Sequence, residues 1–245
     1  MEMIFCVLLA CLVSSTACAQ KKTRELLVFA GAGMRLPLND IGKRFEEECG
    51  VSVIYDFEGS GRLGNKILVG QAPDIFIPGS ERWAKILKER DYIREYAPVA
   101  YHTPVIITPK GNSKINSLED FVHNKNRIML GDVKASAIGE ACAAIFDKAG
   151  LDVSAMHIKA RGVTVKQLVF WIEGNNADAS IVWKADALQS GKVRFINIPG
   201  QHNAINIIPV CRVARHKQEA AQYVRYLLSH EAKRIFKKHG FEVVK

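Results

Sequence analysis

The chain has 245 residues, 48% of them hydrophobic, and a formal net charge of +9. Lysine and arginine are spread along the sequence instead of forming one long run, which indicates a solvated surface and not a nucleic-acid-binding segment. No stretch after residue 20 is long and apolar enough for a transmembrane helix, which excludes a membrane-spanning body. The positive field would still raise the local concentration of an anionic ligand.

The N-terminus has the features of an export signal. The apolar run Ile4–Val13 is too short for a permanent membrane helix but has the length of a signal-peptide core. Ala17-Cys18-Ala19 fits the small-residue rule of signal peptidase and predicts a signal peptide over residues 1–19. Alternatively, Ser15-Thr16-Ala17-Cys18 is a degenerate lipobox that would leave Cys18 acylated at the new N-terminus. We therefore expect a periplasmic protein or an extracellular membrane-anchored lipoprotein, which also argues against a nucleic-acid partner.

Three cysteines remain in the mature chain, at Cys49, Cys142 and Cys211. This odd, widely spaced set is neither a disulfide framework nor a zinc site with paired C-x-x-C spacing. One disulfide remains open as an alternative, but buried free thiols are the favoured interpretation.

Strand-like and helix-like segments alternate through the first half of the mature chain. Leu26–Ala30 is a continuous apolar run, and apolar residues then recur at helical spacing over Leu38–Cys49. Val51–Phe57 and Ile75–Ile77 follow as buried strands, with a helical stripe over Leu63–Leu68 between them. Continuous apolar strands separated by amphipathic helices predict a mostly parallel sheet covered on both faces.

The second half repeats this scheme. Pro104–Thr108, Arg127–Gly131 and Ser180–Trp183 are predicted strands, and Ala137–Ala149 is a predicted helix that ends at Gly150.

No low-complexity linker separates the halves, which suggests lobes joined by crossing strands. Ala100–Thr108 is predicted to lead out of the first lobe and Ile205–Ala214 to lead back. Helices predicted over Gln218–Leu228 and Glu231–His239 then rejoin the first lobe. The first lobe would hold residues 20–102 and 210–245, and the second lobe residues 103–209.

Loops rich in glycine and small hydroxylic residues lie where strands meet helices, at residues 30–34, 58–62 and 135–139. In open α/β sheets the ligand crevice lies beyond the carboxyl ends of the strands, where helix N-termini present unpaired amides. Small residues allow backbone N–H groups to approach an anion closely. The loops therefore predict an anion site, with Ala32 and Gly61 among its candidate contacts.

Six segments occur in a consistent order from about Leu26 to Phe241. They are Val28–Met34, Glu58–Leu63, Gly70–Phe76, Gly131–Asp132, Ser180–Trp183 and Ile235–Phe241. The ordered set covers the mature chain and resembles the periplasmic molybdate-binding protein family. The resemblance implies an α/β fold of the type II periplasmic-binding-protein class, in which two lobes joined by two crossing strands close on a tetrahedral oxyanion.

The resemblance also implies a function. The implied function is that of the solute-binding component of an ABC importer. Such a component captures molybdate or tungstate and presents the ion to a membrane permease. No catalytic residue, no cofactor and no metal beyond that of the bound oxyanion is implied. We expect a monomer without enzyme activity.

The family's ligand contacts fall by position on five residues of this chain. The serine after the first strand falls on Gly33, the serine after the second strand on Ser60, and the tyrosine hydroxyl on Trp183. The backbone donors of the second lobe fall on Ile138 and Val165. Gly33 can offer only its amide and Trp183 only its indole N–H, so the resemblance implies a variant subgroup with altered selectivity.

Charged residues flank the two donor loops of the first lobe. We hypothesise that either Arg35 or Arg62 points into the cleft; the alternative is a solvent-facing arginine in the first helical turn. In a further alternative, Asp56 and Glu58 reach the metal of the bound oxyanion and raise its coordination number.

Other functions remain open. The cleft could be tuned to sulfate, phosphate or a small carboxylate, or the fold could serve as an extracytoplasmic adhesin or sensory module. Residues 59–64 also spell G-x-G-x-x-G between a strand and a helix, which is the fingerprint of a dinucleotide enzyme. Its place after the second strand, the expected export and the missing catalytic acid or base argue against that enzyme.

Overall fold

Two β-sheets flanked by helices make up the computed structural model, which describes residues 24–123, 126–213 and 217–244. The predicted signal peptide and Cys18 lie outside these residues. Within the described ranges, every helix is too short or too polar to cross a membrane.

Strands and helices alternate along the chain as predicted. The first part contains β1 (Arg24–Gly31), α1 (Arg35–Cys49), β2 (Val51–Glu58), α2 (Ser60–Leu68), β3 (Ile75–Ile77), α3 (Glu81–Lys88) and β4 (Ile93–His102). The middle contains β5 (Pro104–Pro109), β6 (Ile128–Gly131), α4 (Ala137–Ala149), β7 (Ile158–Gly162), α5 (Val165–Glu173), β8 (Ala179–Trp183), α6 (Lys184–Ser190) and β9 (Val193–Asn197). The last part contains β10 (Asn206–Val213), α7 (Gln218–Leu227), α8 (His230–Lys238) and β11 (Glu242–Val243). Short 3-10 helices cover Ala32–Met34, Glu119–Phe121 and Val153–Ala155.

The order of the strands divides the molecule into two lobes. The first sheet has the order β11-β4-β10-β3-β1-β2, and the second has the order β7-β6-β8-β5-β9. Strand β1 pairs in parallel with β2 and β3, and β6 pairs in parallel with β7 and β8. All other pairs are antiparallel, because β4, β5 and β10, which carry the chain between the sheets, run against their neighbours. The two-lobe fold is confirmed, with mixed sheets in place of the mostly parallel ones expected.

Two connections join the sheets. Strand β4 ends at His102 and β5 begins at Pro104, so only Thr103 separates them. The return connection is the segment 198–205, after which Asn206 of β10 pairs with His102 of β4. We call the first sheet with its helices the first lobe, and the second sheet with its helices the second lobe. The first lobe is built from both ends of the described chain, and the second lobe is built from its middle.

Apolar cores explain the continuous hydrophobic runs in the sequence. Successive residues of a strand point to opposite faces of a sheet, and in β1 Val28 joins the core on one face while Phe29 joins the core on the other. The second lobe has a core of its own. Cys142 and Cys211 are buried and Cys49 is half-buried, and all three are free thiols.

Candidate functional site

The starts of several helices from both lobes meet at one small cavity. Its volume is about 20 Å3, a little above the roughly 10–15 Å3 that a buried water needs. Such a cavity suits one compact ion and has no room for a nucleotide. It is lined by Gly31, Ala32, Gly33, Glu58, Gly59, Ser60, Gly79, His102, Ser136, Ala137, Ile138, Thr164, Val165 and Trp183.

Six of the nine residues predicted to bind ligand line this cavity. The first lobe supplies three from the loops after β1 and β2, and the second lobe supplies three from the starts of α4 and α5 and the end of β8. They are Ala32, Gly33, Ser60, Ile138, Val165 and Trp183. The convergence of these loops is a property of the structure, and their contact with a ligand stays a prediction.

The other three predicted residues lie outside the lining. The amide of Gly61 donates to the Ala135 carbonyl at 3.0 Å, so it is already satisfied. Arg35 and Arg62 are exposed, and the Arg35 guanidinium lies 4.5 Å from the centroid of the Phe57 ring. The structure therefore gives no support to an arginine in the cleft, because small buried residues occupy the cavity side of each helix start and the long side chains project outward.

Ser60 is positioned to donate a hydrogen bond into the cavity. Its side chain is buried, and its Oγ accepts a hydrogen bond from the Gly79 amide at 2.9 Å. A hydroxyl that accepts in this way keeps its own O–H free to donate. Gly59, which precedes α2, places no side chain over the first amides of that helix.

The second lobe contributes two capped helices. Ser136 Oγ accepts from the Gly139 amide at 3.2 Å, and Thr164 Oγ1 accepts from the Gln167 amide at 3.4 Å. Each cap satisfies an amide in the first turn, while the amides before it have no partner within the helix. Helix N-termini also carry the positive end of the helix dipole. Lysine and arginine are absent from the lining in the described part of the chain, so no side chain with a permanent positive charge would hold the anion.

One carboxylate beside the cavity is paired with a lysine. Glu58 lines the cavity, and Lys66 Nζ lies 2.9 Å from Glu58 Oε1 and 2.7 Å from Asp56 Oδ2. The hydrogen bonds to Asp56 and Glu58 raise the pKa of Lys66, which stays charged. Because this lysine engages both carboxylates, the structure does not favour the alternative in which they reach the metal of a bound oxyanion.

Gly33 and Trp183, the two residues that depart from the family's contact pattern, are sterically compatible with each other. A Cβ atom at Gly33 would lie 3.2 Å from Trp183 Cδ1, 3.3 Å from Val165 Cγ1 and 3.1 Å from Asp186 Oδ2. These distances are shorter than ordinary van der Waals contacts. The missing side chain at Gly33 therefore leaves room for the large Trp183 ring.

The glycine motif at residues 59–64 has a packing explanation. A Cβ at Gly59 would overlap the Val163 carbonyl, and one at Gly61 would overlap the Lys134 carbonyl. These glycines allow the start of α2 to approach the second lobe, as the Gly61–Ala135 hydrogen bond shows.

A second set of contacts closes the lobes over the cavity. Glu140 of α4 accepts from Ser80 Oγ at 3.2 Å and pairs with Arg82 at 2.7 Å. Both partners belong to the first lobe, so the structure represents a closed arrangement.

Gly79 and His102 are lining residues that sequence reasoning missed. His102 is 2% exposed, and its Nδ1 lies 3.0 Å from the Gly79 carbonyl oxygen. Its ring stacks on Trp183 with centroids 4.3 Å apart and planes 3° apart. The pKa of His102 is lowered to about 4, chiefly by burial and in smaller part by the charge of Lys166, while the hydrogen bond to Gly79 raises it. The sequence signal that could have identified His102 is its position at the point where the chain crosses between the lobes.

Comparison with known proteins supports the fold and points to a family. A family model described as bacterial extracellular solute-binding protein matches residues 26–242. A Bacillus subtilis relative named "Putative ABC transporter substrate-binding lipoprotein YvgL" is 26% identical over 97% of this chain and 94% of its own. The molybdate-binding protein ModA of Haemophilus influenzae is 24% identical over 95% of each chain.

Solved structures share the fold. The periplasmic molybdate-binding protein of Azotobacter vinelandii has a TM-score of 0.79 at 17% identity and covers 90% of this chain and 100% of its own. The sulfate-binding protein SubI of Mycobacterium tuberculosis has a TM-score of 0.81 at 15% identity and covers 91% of this chain and 88% of its own. Together with the sequence relatives, they confirm the expected resemblance to periplasmic molybdate-binding proteins.

Proposed function

Because this chain belongs to the family of bacterial extracellular solute-binding proteins, we propose that it captures molybdate or tungstate outside the cytoplasmic membrane and delivers the ion to an ABC permease. Its family is one of binding proteins and not of enzymes. The proposed protein works as a monomer without a cofactor, and acylation of Cys18 would tether it to the membrane.

The observation that carries the proposal is the convergence of helix starts from both lobes on one cavity, whose lining among the described residues holds neither lysine nor arginine. A tetrahedral dianion has oxygen acceptors in every direction, so donors on all sides can replace its hydration shell. Hydrogen bonds to a charged acceptor are roughly twice as strong as neutral ones. Only the closed arrangement lets both lobes donate to the same ion, so the ion selects closure.

The names of the relatives support the transport role. One is named as the substrate-binding lipoprotein of an ABC transporter and another as a molybdate-binding protein. A permease partner and an oxyanion ligand are what these names suggest for this chain.

Sulfate is the second candidate ligand. It has the same charge and shape as molybdate but is smaller, and the cavity volume is only about 20 Å3. Gly33 and Trp183 alter the contact pattern of the molybdate-binding family, and the sulfate-binding protein SubI shares the fold. Phosphate and small carboxylates are further candidate ligands of the same altered pocket. An adhesin or sensory module would keep the fold but would not bind an ion.

Isothermal titration calorimetry of the mature protein with molybdate, tungstate, sulfate, phosphate and citrate tests the proposal. We expect molybdate or tungstate to bind most tightly, at one ion per chain. Tighter binding of sulfate or phosphate would reject the ligand assignment and keep the transport role. The absence of binding by every ion would reject the solute-binding function. Quenching of Trp183 fluorescence, with Trp183→Phe as the control, reports binding at this cavity.

A further inference from the structure

His102 has a buried ring nitrogen without a hydrogen-bond partner. The Gly79 carbonyl oxygen, 3.0 Å from Nδ1, can only accept, so in the neutral ring Nδ1 carries the hydrogen and Nε2 carries a lone pair. Within the described residues, Nε2 is buried and has no partner. Buried polar atoms are nearly always satisfied, and this one belongs to a side chain that lines the ligand cavity.

The ring of His102 is held in one orientation. Trp183 stacks on it, and Phe241 lies against it with centroids 5.6 Å apart. Gly79 accepts its Nδ1 hydrogen bond. Since Trp183 and Gly79 both line the cavity, His102 is fixed between two walls of the site and cannot turn Nε2 toward bulk solvent.

The charged groups around His102 are few. Lys166 of α5, whose charge lowers the pKa of His102, lies 2.6 Å from the buried Asp186 of α6. Glu58 lines the cavity and is paired with Lys66, which it shares with Asp56. Asn206 on β10 is the strand partner of His102, Phe241 lies against its ring and Gly79 accepts from its Nδ1, and these three residues are uncharged.

A lone pair on Nε2 would repel an oxygen of a bound dianion, whereas a proton there would make a charge-assisted hydrogen bond. We infer that His102 contacts the bound oxyanion and that its Nε2 takes up one proton from solvent when a fully deprotonated dianion binds. The resulting imidazolium donates from Nδ1 to Gly79 and from Nε2 to the ion. This inference rests on the proposed function because it concerns the same cavity.

The inference predicts proton-linked binding. Burial keeps the pKa of His102 at about 4 before the ion arrives, so the ring is neutral at pH 7, and the negative charge of the ion then favours the protonated form. When one proton is taken up per ion, affinity falls about tenfold for each unit that the pH rises.

The test is calorimetry of molybdate and sulfate at pH 7 in two buffers with different heats of ionisation. We expect the wild-type protein to take up close to one proton per ion and to lose roughly 100-fold in affinity between pH 6 and pH 8. His102→Gln should bind with little proton uptake and a flat pH profile. His230→Gln is the matched control, because His230 is exposed and lies outside the cavity lining, and it should behave like the wild type.

Wild-type binding without proton uptake would overturn the inference and leave the proposed function intact. Proton uptake that persists in His102→Gln would also overturn it. If no anion binds, the proposed function and this inference fail together. Nitrogen NMR of the wild-type protein needs no variant: His102 should change from a neutral ring to an imidazolium on addition of molybdate, and a ring that stays neutral in the complex would contradict the inference.

Discussion

Substitution of Gly61 by alanine should weaken ligand binding without lowering the folding stability. Gly61 lies within α2, where alanine is favoured over glycine by about 1 kcal/mol, so the first lobe itself should not be weakened. The new Cβ would overlap the backbone carbonyl of Lys134 in the second lobe, inside the 3.0 Å limit that real Cβ atoms keep. The variant should therefore fold normally and close incompletely.

The size of the effect follows from the contacts that closure makes. To relieve the overlap, the lobes must move apart by roughly 1 Å. That movement breaks the hydrogen bond from Gly61 to Ala135, worth about 1 kcal/mol. It also stretches at least one charge-assisted bond from the second lobe to the ion, worth about 2 kcal/mol. A total of about 3 kcal/mol corresponds to a roughly 100-fold higher Kd.

Calorimetry gives the Kd, and small-angle X-ray scattering shows whether the radius of gyration decreases when the ion is added. Gly111→Ala is the matched control, because a Cβ there meets nothing within 4 Å. Affinity equal to wild type in Gly61→Ala would refute the assignment of this contact to the ligand-bound state.

Three further substitutions test the site and its support. Ser60→Ala should weaken ion binding roughly 10- to 150-fold in calorimetry, because one hydrogen bond to a charged acceptor is worth about 1.5–3 kcal/mol. Gly33→Ser should weaken binding roughly tenfold through crowding against Trp183, and the double variant with Trp183→Tyr should recover most of that loss. Asp178→Asn should lower the free energy of unfolding in urea by about 1–2 kcal/mol at pH 7, because Asp178 accepts from the Arg127 amide at 2.7 Å and its guanidinium at 2.9 Å. Arg127 lowers the pKa of Asp178 from its ordinary 3.8, so this stabilisation is complete above that value and is lost as the pH falls through the lowered pKa.

Each of these expectations has a result that contradicts it. Equal affinity in Ser60→Ala would show that its hydroxyl does not reach the ion. A double variant no better than Gly33→Ser would deny the steric coupling between positions 33 and 183. An acid-unfolding profile that Asp178→Asn leaves unchanged would remove the role of that ion pair.

The local pattern of the sequence was enough to predict much of the architecture. Apolar runs and helical stripes depend on neighbouring residues, so the helix Ala137–Ala149 has the bounds that were predicted. Gly150 ends it in a left-handed conformation with φ of 65°, which glycine adopts without steric cost. The mixed pairing of the sheets depends on where the crossing strands lie, and no local signal encodes that.

The site was predictable where it is made of loops that precede helices. Ser60 and Ile138 line the cavity because their helices begin there. The support of Ser60 by Gly79 and the stacking of His102 on Trp183 join residues far apart in the sequence, so periodicity and spacing could not show them. The exposed position of Arg62 depends on which side of α2 meets the second lobe, which is a tertiary property.

Strand β10 lies between β3 and β4 in the first sheet, although the whole second sheet separates it from them along the chain. During synthesis, β3 and β4 therefore lack the strand that pairs with both of them until Asn206–Val213 has been made. All strands of the second sheet are present once Asn197 has been made. Pairing across so long a separation is slow because the chain between the strands must first be ordered. The lobe made from the middle of the polypeptide should consequently acquire its native structure first, and the lobe that contains both ends of the described chain should complete folding last.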